Sequence, residues 1–297
     1  MLDYKQIDAL AVVVEEGGFE RAARTLYLTQ SAISQRVRQL EERTGQVLLS
    51  RTTPPCPTAA GRQLIKHYRQ VKLLEESLAT ELTEANDDSP ITLAVGVNAD
   101  SLALWFLDAV GALLESGKLL LDLRVDDQEQ THKLLRDGEV VGCISTEAKA
   151  MQGCRIEALG SMSYRLLATP EFAGVWFPGG LTPEACGKAP AVIFNRKDNL
   201  HHQHLQQIFD RPPARLPAHY VPSPEPFLAM IVSGNSYGMV PDLQGQALLQ
   251  SGALLELTPG QPLVVDLYWH CWNLDARFLN RLTGQLVAGA LVHLEQT

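Results

Sequence analysis

The sequence predicts an α/β protein in three parts: a small helical head with a β-wing over residues 1–58, a long linker helix and hinge over 59–88, and an α/β body over 89–297. Three observations predict it. Apolar residues recur at helical spacing through the first 45 positions, interrupted at Gly17-Gly18 and stopped at Gly45. From Thr58 to about Glu84 the helical pattern runs on without a breaker. After Pro90, short apolar runs alternate with amphipathic stretches, as in mixed or parallel sheets with covered faces.

A chain of 297 residues is long for one folding unit, so two or three are expected. No apolar run approaches the ~20 residues of a membrane span. The start, Met-Leu-Asp-Tyr-Lys-Gln-Ile-Asp, is acidic and lacks the basic-then-apolar pattern of a signal peptide, which points to the cytoplasm. Cys56, Cys143, Cys154, Cys186 and Cys271 form no C-x-x-C pair, so neither zinc nor a disulfide framework is indicated. The formal net charge of −9 lies wholly beyond residue 58, because the head balances seven basic against seven acidic residues. Within the head the acids Asp3, Asp8, Glu15 and Glu16 come early, and Arg21, Arg24, Arg36, Arg38, Arg43 and Arg51 come later. The later stretch is basic enough to face phosphates.

In the head, Ile7, Leu10, Ala11 and Val14 mark a first helix, and Phe19 to Leu26 a short second one with Ala22 and Ala23 inward. Thr29 suits the N-cap of a third helix over Gln30–Arg43, with Ile33, Val37 and Leu40 on one face. Its other face carries Ser31, Ser34, Gln35 and Arg38. Val47–Arg51 reads as a short strand before the Pro54-Pro55 turn, a β-wing. A short second helix followed by a polar third one is what the DNA major groove requires: Gln and Ser meet base edges, and Arg grips phosphate or guanine.

Phe19-Glu20-Arg21-Ala22-Ala23, Leu28-Thr29-Gln30-Ser31-Ala32-Ile33-Ser34-Gln35-Arg36-Val37, Gly45, Leu48-Leu49-Ser50-Arg51 and Pro57-Thr58-Ala59-Ala60-Gly61 together resemble the signature of LysR-type transcriptional regulators. The resemblance implies that Gln30, Ser31, Ser34 and Gln35 face bases, while Thr29, Arg36 and Arg51 serve phosphates or the edges of the site. The chain has Ser31 where the family often has proline, and Leu49 where it often has phenylalanine.

Leu64, Tyr68, Val71, Leu74 or Glu75, Leu78 and Leu82 step by three or four, an approximate heptad seam suited to a second copy of the chain. A homodimer, or a tetramer built from it, suits a double-stranded operator with two half-sites. Asn86-Asp87-Asp88-Ser89-Pro90 follows as a polar hinge.

In the body, strands are expected at Thr92–Val97, Leu119–Val125, Val140–Ser145, Tyr164–Ala168, Ala191–Phe194, His219–Val221, Tyr237–Val240 and Leu263–Trp272. Helices are expected at Ser101–Leu114, Gln128–Arg136 and Ala276–Leu294. Two such sets suggest two lobes with a ligand cleft between them, at the strand carboxyl ends. LysR-type regulators have this arrangement, similar to periplasmic binding proteins. The resemblance implies a lobe I of 91–162 plus 266–297 and a lobe II of 163–265.

Val97–Phe106, Arg136–Gly142, the Pro54-Pro55 wing and Leu267-Tyr268-Trp269-His270 resemble the ArgP/LysG (IciA) branch of that family, which implies an effector domain sensing lysine or arginine and control of amino-acid export. The residues lend their own support. Asn98-Ala99-Asp100-Ser101 joins a strand end to a helix start, where N–H groups favour an α-carboxylate and Ser101 adds a hydroxyl. Asp100, Asp126 and Asp127 at strand ends, with Ser223 and Glu225 near the Pro222-Ser223-Pro224 turn of lobe II, would meet an amine or a cationic side chain. Each of these acids also has a plain alternative, Asp100 as a helix cap and Asp126-Asp127 as an exposed turn.

No G-x-S-x-G elbow or Cys/His nucleophile pattern is present, and Gly179-Gly180 lacks a phosphate-loop context, so an enzyme is not expected. His201, His202 and His204 lack metal-ligand spacing and read as a solvated helix face. No cofactor is implied beyond the small-molecule effector. The expected function is a ligand-responsive regulator acting on RNA polymerase at its target promoter. The alternative is a chromosome-architecture or replication-control protein that binds bendable DNA without ligand.

Overall fold

The computed structural model describes residues 2–50, 52–82, 90–115, 117–125 and 128–296. Helix α1 (Tyr4–Glu15) opens at Asp3, whose carboxylate accepts a hydrogen bond from the Lys5 N–H. Helix α2 (Phe19–Thr25) is short, and α3 (Gln30–Thr44) runs from Thr29 to the left-handed Gly45. Ile7, Leu10, Ala22, Ile33, Val37 and Leu40 close into one core, which Leu48 and Ile65 complete. Between α2 and α3 the chain turns through Tyr27 with φ of 54°. That conformation costs an L-residue roughly 1–2 kcal/mol and normally selects glycine.

The wing is smaller than expected. Among the described residues it is a single antiparallel bridge, Leu49 to Pro57, with Ser50 N–H donating to the Cys56 carbonyl. Prolines at 54, 55 and 57 remove the donors that a longer ladder needs.

Helix α4 (Ala59–Leu82) leaves the head. It places Ile65 in the head core and Leu73 in the body core, so one helix is anchored at both ends. The body then runs β1 (Ile91–Val97), α5 (Ala99–Ser101), a π-helical turn (Leu102–Phe106), α6 (Leu107–Leu114), β2 (Leu119–Val125), α7 (Gln128–Asp137), β3 (Gly142–Ser145) and β4 (Cys154–Ala168). Next come α8 (Pro170–Trp176), α9 (Pro183–Cys186), β5 (Ala191–Ile193), α10 (Leu200–Ile208), β6 (Ala218–Tyr220), α11 (Pro224–Val232) and β7 (Gly238–Pro241). Helix α12 (Asp242–Gln250), β8 (Leu255–Glu256), β9 (Leu263–Trp272) and α13 (Arg277–His293) finish it.

The main sheet has the order β2-β1-β3-β9-β4-β7, with β8 beside β4, and a second sheet pairs β5 with β6. Strand β1 is parallel to β2 and β3; β9 is antiparallel to both β3 and β4. The long β4 therefore meets β9 through its first part and β7 and β8 through its last, tying the two lobes together. Its first ten residues were not expected as strand. Cys154–Ser163 mixes polar residues with Gly160 and has little β-branched character, and it is held extended by the ladder to β9. None of the described helices is long and apolar enough to cross a membrane.

Candidate nucleic-acid interface and effector cleft

The head presents one polar face. The Thr29 hydroxyl accepts from the Ala32 N–H at 3.2 Å and lies 3.0 Å from the Ser31 hydroxyl, which fixes the start of α3. Burial of Ile33, Val37 and Leu40 turns Gln30, Ser31, Ser34, Gln35 and Arg38 to solvent, with Arg36 half-buried. These are exposed side chains at one helix end that donate and accept, flanked by guanidinium groups. Arg51 lies outside the described residues.

Linker helix α4 is hydrogen-bonded on both sides. Tyr68 donates to Asp8 of α1 at 2.7 Å. Arg69 donates through one nitrogen to Glu15 of α1 and through the other to the Gly138 carbonyl after α7, each at 2.7 Å. Lys66 reaches the Arg136 carbonyl at 3.2 Å, and Ser77 accepts from the Arg277 N–H at 2.8 Å. Gly138 permits the close approach: its φ is +77°, and a Cβ there would lie 2.5 Å from the Lys66 Cβ.

A cavity of about 320 Å³ lies where β1 gives way to α5, facing the loop from Phe194 to Leu200 and the middle of β9. Asn98, Asp100, Asp198 and Asp266 line it, with Thr146, Lys197 and Gln203. Asp100 accepts from the Tyr164 hydroxyl at 2.8 Å. Burial pushes the Asp100 carboxyl up to about 6, against the lowering effect of Tyr164, and Asp198 adds to the rise. Burial also drives the Tyr164 phenol well above its ordinary value, so it remains a donor. Asp198 accepts from the Phe194 and Leu200 N–H groups at 3.1 and 2.9 Å, which shapes the loop. Asp266 accepts from Ser161 at 2.6 Å. Among the described lining residues three carboxyl groups stand against the single cation Lys197, an excess of acidic groups that favours positive charge in the cavity. Asn98 Oδ1 and Ser101 Oγ are buried without a hydrogen-bond partner among the described residues, at the entrance to the helical segment. The π-helical turn that follows is a distortion often met beside ligand sites.

The comparisons with known proteins agree with both regions. Residues 4–62 match the model for the bacterial regulatory helix-turn-helix protein, lysR family, and residues 89–280 match the LysR substrate binding domain. The chain belongs to the LysR family. It is 44% identical over 285 residues to the HTH-type transcriptional regulator ArgP of Klebsiella pneumoniae (strain 342), covering 96% of this chain and 95% of the relative. It is 42% identical to ArgP of Aeromonas salmonicida, covering 97% and 96%. Among solved structures it is similar to ArgP from Mycobacterium tuberculosis, with a TM-score of 0.89, 36% identity and all of both chains covered. Full-length LysG from Corynebacterium glutamicum with bound effector Arg gives a TM-score of 0.80 and 34% identity, covering 99% of this chain and all of that one. These relatives are DNA-binding transcriptional regulators rather than enzymes, and this LysR-family chain has the same two-part architecture.

Of the expected cleft residues, the LysR fold brings Asn98 and Asp100 to the cavity, with Ser101 buried just behind. Asp126 and Asp127 lie outside the described residues. Ser223 and Glu225 are not brought there. They stand exposed at the start of α11, because that helix turns Phe227 and Ile231 into a separate core with Val192 and Val240. Two of the three histidines differ from expectation, while His202 is exposed as expected. His201 and His204 are buried, with His204 3.0 Å from the Thr258 hydroxyl, and burial lowers both so that each is neutral at pH 7. Their spacing places them with Leu205 on the inner face of α10, while His202 points out. Asp198 and Asp266 were missed. Asp198 follows a strand end in the turn-rich Asn195–Asn199 loop, and Asp266 is a lone acid inside the apolar run Leu263–Trp272. Both are legible signals of a polar site.

Proposed function

We propose that this LysR-family regulator senses a basic amino acid, lysine or arginine, in the cleft, and thereby adjusts transcription of an amino-acid export or metabolism gene. The observation that carries the reading is the cavity lined by Asp100, Asp198 and Asp266 together with Asn98, whose buried Oδ1 has no partner among the described residues. Its volume is at the small end for ligand sites, as an amino acid requires. The N–H groups opening the Ala99–Ser101 segment take the α-carboxylate, and the Asn98 Oδ1 with the carboxylates takes the amine and the distal cation. Arginine bound to LysG, at 34% identity, supports the ligand class.

On the DNA side, Gln30, Ser31, Ser34 and Gln35 read base edges, and Thr29, Arg36, Arg38 and Arg51 hold phosphates. Two copies pair along α4, whose Leu74, Leu78 and Leu82 form an exposed apolar row, and so present two heads to an operator where polymerase is recruited. The protein works in the cytoplasm. Calorimetric titration with arginine, lysine and leucine tests the sensor. Saturable binding of the two basic amino acids with leucine silent is expected; equal binding of leucine would exclude a carboxylate-lined cation site.

A further inference from the structure

Tyr27 is the one non-glycine among the described residues with a positive φ, at 54°. It occupies the C′ position of α2: its own N–H donates to the Arg24 carbonyl at 3.2 Å and the Leu28 N–H to the Ala23 carbonyl at 2.9 Å, the two bonds of a Schellman cap. Glycine is the residue that cap prefers, and glycine fills every other left-handed position described in the chain. The side chain repays nothing locally. It is 95% exposed, more than any other large apolar or aromatic side chain described, and among the described residues no hydrogen bond or ring contact engages it. Leu26 and Leu28 on either side pack on the head core, so the turn is held rigidly and the phenol projects from a fixed base.

A strained residue with no local return is the pattern of a side chain kept for a contact made elsewhere. The place of that contact follows from the sequence. Tyr27 is two residues before Thr29, the cap of α3, so its Cα lies within about 7 Å of the helix end that meets the groove. Outside α3 itself, an exposed side chain at this turn is in a position to reach the groove's edge, where phosphates run, rather than the base edges at its floor. Tyrosine hydroxyls there are ordinary phosphate donors.

We propose that the Tyr27 phenol donates a hydrogen bond to a DNA phosphate beside the half-site, clamping the entry of α3, and that its left-handed backbone is the stability cost of that contact. The inference rests on the reading of α3 as the groove-binding helix. Because a phosphate contact carries no sequence information, a duplex of arbitrary sequence tests it.

The experiment measures fluorescence anisotropy of a labelled 40-base-pair random-sequence duplex titrated with the full chain, alongside thermal melts of the same preparations. Tyr27→Phe, which removes one hydroxyl, is expected to weaken binding about fivefold, with the melting midpoint unchanged. Tyr27→Gly is expected to weaken it at least as much while the midpoint holds or rises by a degree or two, since the strain is relieved. The salt dependence separates this neutral donor from the charged ones: Arg38→Ala is expected to lower the slope of log affinity against log salt by about one, and Tyr27→Phe to leave it unchanged. Tyr27→Phe binding within twofold of the parent would overturn the proposal, as would a Tyr27→Gly chain whose midpoint falls together with its affinity. Failure of the parent chain to bind duplex would instead remove the groove-binding reading on which it rests.

Discussion

With Asp100 as the cation's partner in the proposed effector site, effector binding is expected to depend on pH in a way that can be worked out beforehand. Its carboxyl is held at about 6 because burial at the cavity wall disfavours the charge and Asp198 adds like charge, while Tyr164 offsets part of the rise. A cationic effector binds the ionised form. With arginine, whose side chain and amine do not titrate below pH 8, the apparent Kd scales as one plus the ratio of protonated to ionised Asp100. Lowering the pH from 7.5 to 5.5 then raises Kd about fourfold, and pH 5.0 raises it about elevenfold. The nearby His201, pushed down to about 4 by burial, stays neutral throughout and adds no step. Calorimetry in buffers of matched ionic strength reads this directly. Asp100→Asn is expected to bind arginine about ten- to a hundredfold more weakly, from loss of a charge-assisted contact, and to show a flat profile between pH 5.0 and 7.5. Tyr164→Phe removes the hydrogen bond that favours the carboxylate, so its midpoint moves to higher pH. A parent chain whose Kd is constant from pH 7.5 to 5.0, or an Asp100→Asn chain that keeps the parent's pH dependence, would refute the assignment of Asp100 as the cation's partner.

The same carboxyl sets a stability effect of opposite sign. Its folded value of about 6 lies above the unfolded value near 4, so its contribution is present below pH 4 and lost as pH rises through 6; without ligand, Asp100→Asn is expected to be more stable than the parent at pH 7.5 by up to about 3 kcal/mol, a gap in melting midpoint that closes below pH 4. Arg69→Ala cuts the bridge from Glu15 to the Gly138 carbonyl, so arginine should bind with parent affinity while its effect on DNA affinity shrinks to under about twofold, measured by anisotropy with and without ligand. Leu78 is 53% exposed in the chain alone, in the row with Leu74 and Leu82, so Leu78→Glu should shift sedimentation from dimer to monomer, and an unchanged dimer would remove α4 as the pairing surface.

The head was legible because its information is local. Thr29 caps α3 with its own hydroxyl and Gly45 ends it in the left-handed region, so each boundary is written in the residue that makes it. The wing was overread, because Val47–Leu49 has strand character while the prolines after it withhold the partner strand's donors. In the body the failures are those of long-range pairing. Cys154–Ser163 becomes strand only through β9, more than a hundred residues later, and Asp266 reaches the cavity only because that ladder sets its register opposite Ser161. Asn98 and Asp100 were found by the rule that ligands meet strand ends, and Asp198 obeys the same rule on a strand where it was not applied. Ser223 and Glu225 show the limit of that rule: a strand end places a residue near a cleft only if the next helix turns the same way, and α11 turns away.

The hydrogen bonds of α4 constrain how a ligand in the cleft can reach DNA. Lys66 holds the Arg136 carbonyl, Arg69 the Gly138 carbonyl, and Ser77 the Arg277 N–H, and all three partners belong to the lobe built on β1, β2 and β3 with α7 and α13. Tyr68 and Arg69 hold α1 of the head from the same helix. Head, linker and this lobe are thus bonded into one frame, with Leu73 adding core contact. The cavity, however, is shared: Asn98 and Asp100 belong to the frame, while the Phe194–Leu200 loop belongs to the other lobe. A ligand that draws Asp100 and Asp198 toward itself therefore moves the second lobe against a frame that includes the head. Within one chain such a motion leaves the frame intact, so its effect on DNA requires something for the second lobe to push, and on the proposed pairing along α4 a second copy supplies it. On that proposal regulation and pairing are a single property, and the Leu78→Glu monomer is expected to bind arginine normally while its DNA affinity no longer responds to it.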